Sequence, residues 1–433
     1  MPRVVVRDAT ENLVADLAAV FDSFGGIRKL ASGRPILIKP NAVNFGPGQF
    51  TATEFLEALF KLLRDNGLND LYLMEACTAG NMTRVVFLAL KWDALCKKYG
   101  VQPVYLDEGK TRPLKLSEET EPVRINAFLY ERLLERRAEN FYLSVPRLKT
   151  HSMSHVTLGV KNQQGLLMPF DRMKDHNLHL GRRLVKILEK FRPDFTILEG
   201  LTATIYGHFP LLRDLEKSII PTKVLVGGDD VVAVDTVGAR IFGYDAREID
   251  HLRIAAEKGL GCADLSRIEV LGDLSRFRER HPYLPELQIP ASIRRIHGRQ
   301  MACIQGCRGN TETTIDMMCG DYGGKGGWNF VCGKDIDKKE LEGLSGPILV
   351  VGPCAAAEVG DYLKQKYPRE KIYIIPEHND LANMSGAVMR LTKINYFRIV
   401  PVPFFSSGLA LVRHLLRGSH ARVANPLLKA RSR

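Results

Sequence analysis

Short apolar runs alternate with amphipathic segments over the first two-thirds of the chain. A run such as 36–38, in which every residue is apolar, is typical of a strand buried on both faces, whereas apolar residues spaced by three and four indicate a helix. Strands are therefore predicted at 4–6, 35–39, 70–74, 104–106, 141–151, 195–198, 224–226 and 267–270. Helices are predicted at 11–24, 51–63, 84–98, 126–137, 180–191, 231–241 and 247–258. The alternation indicates an α/β fold with a mainly parallel sheet and helices on both faces.

The same rhythm resumes near the C-terminus. Strands are predicted at 347–354, 371–375 and 397–402, and helices at 355–367 and 408–416. The segment between the two parts is polar and carries Pro282, Pro285 and Pro290, as linkers often do. We therefore expect an α/β domain over 1–272, a linker over 273–300, and a smaller cysteine-containing α/β domain over 301–433.

Polar residues follow several of the predicted strands. Ligands of parallel sheets collect at the carboxyl ends of the strands, so we expect these residues to share one rim. The period of two places Lys149 and His151 on one side of their strand, and Lys161 follows shortly after. The simpler alternative is an exposed strand end with solvated lysines. Among the candidate aspartates Asp229, Asp230 and Asp235, helix capping alone explains one. The candidate catalytic residues are His151, Lys149 and Lys161, and the candidate substrate-binding residues are Lys39, Asn41, Asn162, Glu199, Asp229, Asp230 and Asp235.

A family resemblance rests on five segments that occur in order between residues 34 and 272. The segments 38–41, 145–151, 159–162, 198–200 and 228–235 resemble the successive motifs of the domain-of-unknown-function family numbered three hundred and sixty-two. Many members carry a cysteine-rich iron-sulfur segment, so the resemblance implies one here, but it implies no particular reaction. The chain departs from the commoner pattern because Glu199 stands where an Asp is usual and because a Cys-x2-Cys-x2-Cys run is missing.

Five of the eight cysteines fall within residues 303–354, among many glycines that permit tight turns around a cluster. Soft thiolate ligands select iron-sulfur or zinc over hard cations, and the dispersed spacing favours an iron-sulfur cluster, expected as [4Fe-4S]. Zinc and plain buried cysteines are the alternatives. His176 and His179, three residues apart, either share a metal or face solvent. The candidate metal ligands are Cys303, Cys307, Cys319, Cys332 and Cys354, with His378 expected at a neighbouring strand end.

Charge and targeting signals bound the cellular setting. The formal net charge is +12, and the Lys and Arg residues are scattered except at the C-terminus. No nucleic-acid recognition signature accompanies them, so no nucleic-acid partner is expected, and a solvated basic tail is favoured over one that touches RNA or lipid headgroups. No apolar run approaches the length that spans a bilayer, and the N-terminus lacks an apolar signal, so we expect a cytoplasmic chain with reduced thiols. The tail comprises Arg413, His414, Arg417, His420, Arg422, Lys429, Arg431 and Arg433.

Three classes of function are compatible with these features. The leading one is an iron-sulfur oxidoreductase or electron-transfer protein that acts on a small anionic substrate and works with a redox partner protein. In it, Lys39, Lys149 and Lys161 would hold the substrate and His151 would exchange a proton. The second is a racemase, isomerase or lyase on a carboxylate or phosphate, with a structural metal. The third is a non-enzymatic metal-binding module. Neither a Gly-x-Gly-x-x-Gly fingerprint nor a P-loop is present.

Overall fold

A computed structural model describes residues 1–394, 399 and 403–423. It confirms the α/β class, with a mostly parallel central sheet and a separate parallel sheet in the C-terminal region. The strand predicted at 397–402 and the basic tail beyond residue 423 lie outside the described residues. Among the described helices none is long and apolar enough to cross a membrane.

The strands run, in chain order, β1 Arg3–Asp8, β2 Ile36–Pro40, β3 Leu71–Glu75, β4 Gln102–Tyr105, β5 Thr111–Leu114, β6 Val123–Asn126, β7 Phe141–Val145, β8 Arg147–His151, β9 His155–Val156, β10 Phe195–Thr204, β11 Ile219–Ile220, β12 Val224–Gly228, β13 Glu269–Leu271, β14 Ile293–His297, β15 Trp328–Cys332, β16 Ile348–Val351 and β17 Ile372–Ile375. The central sheet has the order β13-β1-β12-β10-β7-β2-β3-β4, with β8 continuing beside β10. The second sheet has the order β14-β15-β16-β17 and is parallel throughout.

The α-helices are α1 Leu13–Asp22, α2 Ile27–Ala31, α3 Thr53–Asp65, α4 Thr83–Ala89, α5 Trp92–Tyr99, α6 Ala127–Tyr130, α7 Gly159–Asn162, α8 Pro169–Arg172, α9 Leu180–Lys190, α10 Leu215–Ser218, α11 Val231–Ile241, α12 Asp250–Glu257, α13 Cys307–Gly320, α14 Pro353–Lys366, α15 Leu381–Thr392 and α16 Phe404–Leu416. On one face of the central sheet α1, α3 and α5 bury a core with β2 and β7. On the other face α9, α11 and α12 do so with β10 and β12.

Two local predictions need correction. The helix expected at 84–98 is two helices, α4 and α5, because Lys91 adopts the left-handed region with φ 58° and ends the first of them. The glycine-rich stretch expected to turn around a cluster contains α13 and β15. Its glycines lie mostly outside those elements, so the stretch is more regular than its composition indicates. The second sheet begins with β14, which pairs with β15 in parallel.

Candidate functional site

The rim of the central sheet begins with a buried ion pair. The Lys39 ammonium at the end of β2 lies 2.8 Å from Glu75 Oε1 at the end of β3, and both side chains are buried. The two strands are parallel neighbours, so their carboxyl ends meet as expected. Burial lowers the pKa of Lys39 and raises that of Glu75, and their mutual attraction opposes both shifts. Glu75 also accepts the backbone N–H groups of Ala42 and Ala76, each at 2.8 Å, which fixes the carboxylate.

The end of β8 supplies two further basic groups, both buried. Lys149 Nζ donates to Asn41 Oδ1 at 2.6 Å. Burial, together with the charges of Arg147 and Lys161, holds the pKa of Lys149 well below its ordinary value. His151 Nδ1 accepts the backbone N–H of Met153 at 3.0 Å, which leaves Nε2 as the protonated nitrogen of a neutral ring.

The His151 ring stacks on a second histidine that is not among the predicted candidates. Its partner is His208, with ring centroids 3.8 Å apart and planes within 5° of each other. Burial lowers the pKa of both rings well below the ordinary value. The charge of His208 then acts on His151, and the charges of Lys161 and Lys149 act on both rings in the same direction. His208 Nδ1 is buried with no hydrogen-bond partner among the described residues. Two neutral imidazoles therefore form one wall of the rim.

Helix α7 carries Lys161 and Asn162 to the same rim. Asp235, on α11, accepts the N–H groups of Gly159 and Val160, each at 2.7 Å, and so fixes the first turn of α7. Burial raises the pKa of Asp235 to about 8, although the two backbone donors favour its ionised form. Asp235 is thus a residue that positions the helix, not a ligand-binding residue.

Lys161 has the environment of a reactive amine. Its Nζ donates to Gln164 Oε1 at 3.1 Å and makes no ion pair within the described residues. Burial, followed by the charge of Arg172, lowers the pKa of Lys161 to about 7. Asn162 Nδ2 donates to Lys39 O at 3.2 Å and to Ser144 Oγ at 3.0 Å, which joins α7 to β2 and β7. Near neutral pH, Lys161 therefore exists as a mixture of amine and ammonium.

A cavity of about 230 Å³ lies between the two parts of the chain, and Lys39, Glu75, His151, His208, Lys161 and Asn162 line it, whereas Lys149 and Asp235 are not among its lining residues. The central-sheet domain contributes a basic and amide-rich floor, and the C-terminal part contributes a mainly apolar wall that is rich in methionine and also carries the polar residues Asn310, Thr313, Thr314 and Ser385. Thioether side chains adapt to ligands of irregular shape. Such a cavity fits a molecule with an anionic head and an apolar body. The floor includes Lys39, Asn41, His151, Lys161, Asn162 and Arg172, and the wall includes Met317, Met318, Leu381 and Met389.

Three acidic candidates lie away from this cavity. Glu199 accepts the N–H of Ala52 at 3.1 Å and pairs with Arg147 at 3.3 Å, so it ties β10 to neighbouring segments. Asp229 is exposed, and Asp230 caps α11 by accepting the N–H of Val232 at 3.0 Å. The expectation of one shared rim is wrong for Asp229 and Asp230 because β12 runs antiparallel to β10, which places the end of β12 at the opposite rim.

A group of thiols lies at the carboxyl ends of the second sheet. Cys332 ends β15, Cys354 begins α14 just after β16, and Cys303 and Cys307 lie on the segment that leads from β14 into α13. Gly352 allows a close approach, because a Cβ at this position would lie 2.9 Å from Cys307 Sγ.

Burial raises the pKa of Cys307 and Cys332, two of these thiols. It raises the pKa of Cys307 to about 11, against the hydrogen bond that its sulfur accepts from Asn379 N at 3.3 Å, and the neighbouring Cys303 and Cys354 raise it further. Burial likewise raises the pKa of Cys332, and the charges of Glu312, Cys307 and Cys303 act in the same direction. The four thiols thus lie close enough to sense one another's charge.

Cys319 is separate from this group. It lies on α13, twelve residues beyond Cys307. At a rise of about 1.5 Å per residue the two Cα atoms are about 18 Å apart, too far for one cluster to join them. Of the five candidate cysteines the structure therefore brings together four. No three His, Cys, Asp or Glu side chains of the described residues are close enough to hold a single metal ion.

The thiol group and the cavity share a wall. His378 Nδ1 lies 4.0 Å from Cys307 Sγ, and its Nε2 lies 3.2 Å from the carbonyl oxygen of His176. His176 lines the cavity, and its Nδ1 lies 2.6 Å from Gln305 O on the segment between Cys303 and Cys307. His179, which sequence reasoning paired with His176, is exposed and lies outside this wall. One histidine layer thus separates the thiols from the cavity.

Fold and site together define an α/β protein with a basic cavity next to a buried thiol group. Residues 36–240 match the model of the family described as Domain of unknown function (DUF362), which confirms the resemblance drawn from the motifs. The thylakoid-associated protein sll1697 of Synechocystis sp. is 25% identical over 299 residues, which make up 64% of this chain and 85% of that protein.

Proposed function

We propose that this chain is an iron-sulfur oxidoreductase whose cavity holds a small amphipathic anion. The observation that carries the proposal is the shared wall, because His176 and His378 connect the cavity directly to the thiol group. Electron transfer between a cluster and a substrate requires such proximity, whereas a purely structural metal would need no contact with a ligand cavity. The cavity's basic floor and apolar wall support the substrate class.

The thiol group suits a cluster better than one zinc ion. A tetrahedral zinc with bonds of about 2.3 Å to sulfur would hold its thiolates about 3.8 Å apart. Cluster thiolates bind different iron atoms and stand farther apart, and the dispersed spacing of these cysteines along the chain favours such an arrangement. Such a cluster, when bound, supplies single electrons. Its ligands would be Cys303, Cys307, Cys332 and Cys354, and the hydrogen bond from Asn379 to the Cys307 sulfur would tune it.

The residues in and around the cavity would bind the substrate, orient it and exchange a proton with it. Lys161, with a pKa of about 7, is suited both to pair with an anionic head as the ammonium and to exchange a proton with the substrate. His151 is held neutral, so we assign it a hydrogen bond from Nε2 to a substrate oxygen rather than proton donation as an imidazolium. Lys149 orients Asn41 through its hydrogen bond to the amide oxygen. The apolar wall excludes water from the reacting end.

A second candidate is supported by Lys161 itself. An amine with a pKa near 7 beside a neutral histidine pair is also what a racemase, isomerase or lyase needs to move a proton next to a carboxylate. In that case the thiol group would hold a structural metal, and the reaction would not depend on the metal's oxidation state. Substrate turnover that is unchanged between oxidised and reduced protein would favour this candidate.

Iron and acid-labile sulfide analysis of anaerobically purified protein tests the cluster. We expect a visible absorption band and about four irons per chain. Cys307→Ser should lose both, whereas Cys319→Ser, on the far end of the same helix, should keep them. A colourless protein that holds zinc without sulfide, or equal losses in the two variants, would contradict the assignment.

A thermal-shift screen of carboxylates, phosphates and sulfonates tests the cavity. A ligand at a hundredfold excess over its dissociation constant stabilises the fold by about 2.7 kcal/mol, which is easily detected. The shift should vanish in Lys161→Met, while the exposed Lys61→Met should retain it. A shift that survives in Lys161→Met would place the ligand elsewhere.

A further inference from the structure

Helix α16 packs against the protein by its polar side. His414 is buried, and its Nδ1 lies 2.7 Å from Glu108 Oε1, while Ala410 packs on Met82 and Val85 of the α4 region. Globular proteins normally turn the apolar stripe of a surface helix towards the core. Ala410, a small residue, and His414 are among the residues by which the helix contacts the protein.

The opposite side of α16 is apolar and exposed. Leu409 and Val412 are each 53% exposed, Leu415 is 61% exposed and Leu416 is 82% exposed. At 100° per residue these positions share one arc that is opposite Ala410. The helix has 13 residues and is therefore about 20 Å long, too short to span a bilayer.

The segment of the sequence that contains α16 is rich in positive charge. Residues 381–433 contain nine Lys and Arg and no Asp or Glu. Two of them are exposed at this helix: Arg413 lies on α16 next to the edge of the arc, and Arg417 directly follows the last residue of α16. An apolar face bordered by arginines in an acid-free segment is complementary to an anionic lipid surface, into which such helices insert in the plane of the interface. A second copy of this chain would meet the same positive charge and be repelled.

We propose that α16 is an interfacial helix that binds this protein to the surface of an anionic membrane. The leucine and valine side chains enter the boundary between headgroups and acyl chains, and Arg413 and Arg417 contact the lipid phosphates. His414 and its bond to Glu108 hold the helix at a fixed orientation on the protein.

Sedimentation of the full chain with vesicles tests the proposal. We expect binding to phosphatidylcholine vesicles with about one third phosphatidylglycerol, and little binding to pure phosphatidylcholine. The triple variant Leu409→Gln, Val412→Gln, Leu416→Gln should bind about a hundredfold more weakly, because half-burying each side chain is worth roughly fivefold. The matched triple Leu212→Gln, Leu271→Gln, Leu284→Gln, exposed elsewhere, should bind as the native chain does.

Neutralising the two arginines tests the electrostatic part of the proposal. The double variant Arg413→Gln, Arg417→Gln should weaken binding to the anionic vesicles by about fivefold per residue, and added salt should narrow that difference. Unchanged vesicle binding in the α16 triple variant (Leu409→Gln, Val412→Gln, Leu416→Gln) would overturn the proposal. So would a dimer of the native chain that the same variant converts to a monomer, because the arc would then be an interface between copies.

Discussion

Lys161 allows a direct test of the cavity that does not require its ligand. The pKa of this amine is lowered to about 7 because burial and Arg172 disfavour the ammonium form. At pH 7.5 roughly three quarters of Lys161 amines are then neutral, against about one in a thousand for an amine at the ordinary value of 10.5. Only the neutral form is nucleophilic. Lys161 should therefore be acylated up to several hundredfold faster than ordinary surface lysines. The lower basicity of its amine also lowers its intrinsic nucleophilicity, which reduces this advantage in part.

Competitive labelling with a trace of acetic anhydride, read by mass spectrometry between about pH 6 and 10, measures this difference. The rate at Lys161 should rise to half its maximum near pH 7. Lys61 serves as the internal control, because its hydrogen bond and ion pair with Asp65 raise its pKa. A cavity anion found by thermal shift should protect Lys161 and leave Lys61 unchanged.

The pH dependence has a definite sign. The folded-state pKa of Lys161 lies below that of the unfolded chain, so between about pH 7 and 10.5 the unfolded chain binds more protons. The contribution of Lys161 to the free energy of unfolding therefore rises with pH across that window and is lowest below pH 7. An anion that pairs with the ammonium binds only the protonated form of Lys161, so the affinity of the anion should fall by up to about tenfold per pH unit above 7. Labelling of Lys161 with a midpoint near pH 10 would refute this reasoning.

Further predictions concern the residues that support the cavity. Glu75→Gln leaves a buried ammonium without its partner and should lower the free energy of unfolding by about 3–5 kcal/mol in denaturant titrations, whereas the exposed Glu57→Gln should cost less than about 1 kcal/mol. Asp235→Asn replaces an acceptor of two backbone N–H groups and should cost about 1–3 kcal/mol. Asp235→Asn should also shift the pH midpoint of Lys161 labelling. Asp229→Asn, at the opposite rim, should leave that midpoint unchanged, so equal midpoints in the two variants would contradict the positioning role of Asp235.

Much of the fold followed from local patterns. The buried apolar runs located β2, β3 and β7, and the parallel arrangement of these strands brought Lys39 and His151 to one rim as expected, with Glu75 beside Lys39. The direction of β12 did not follow, because an apolar run looks the same in parallel and antiparallel neighbours. This is why Asp229 was expected at the wrong rim.

The cysteine site shows a different limit. Composition identified the cysteine-rich region, but glycine content concealed the helix that separates Cys319 from Cys307. The position of His378 just after the predicted strand 371–375 placed it at the same strand ends as the cysteines, and it lies beside Cys307. His208 lay outside the predicted set because no local spacing links it to His151, and only the folded chain stacks the two rings.

A redox titration of the anaerobic protein with and without the cavity anion tests the central claim most directly. A negative charge about 10 Å from the thiol group is worth about 1.7 kcal/mol at an effective dielectric constant of about 20, or roughly 70 mV for one electron. We predict that saturation with the best-binding anion lowers the midpoint potential by tens of millivolts, and that Lys161→Met removes the shift. A potential that the bound anion leaves unchanged, or a protein without a reducible centre, would contradict the account.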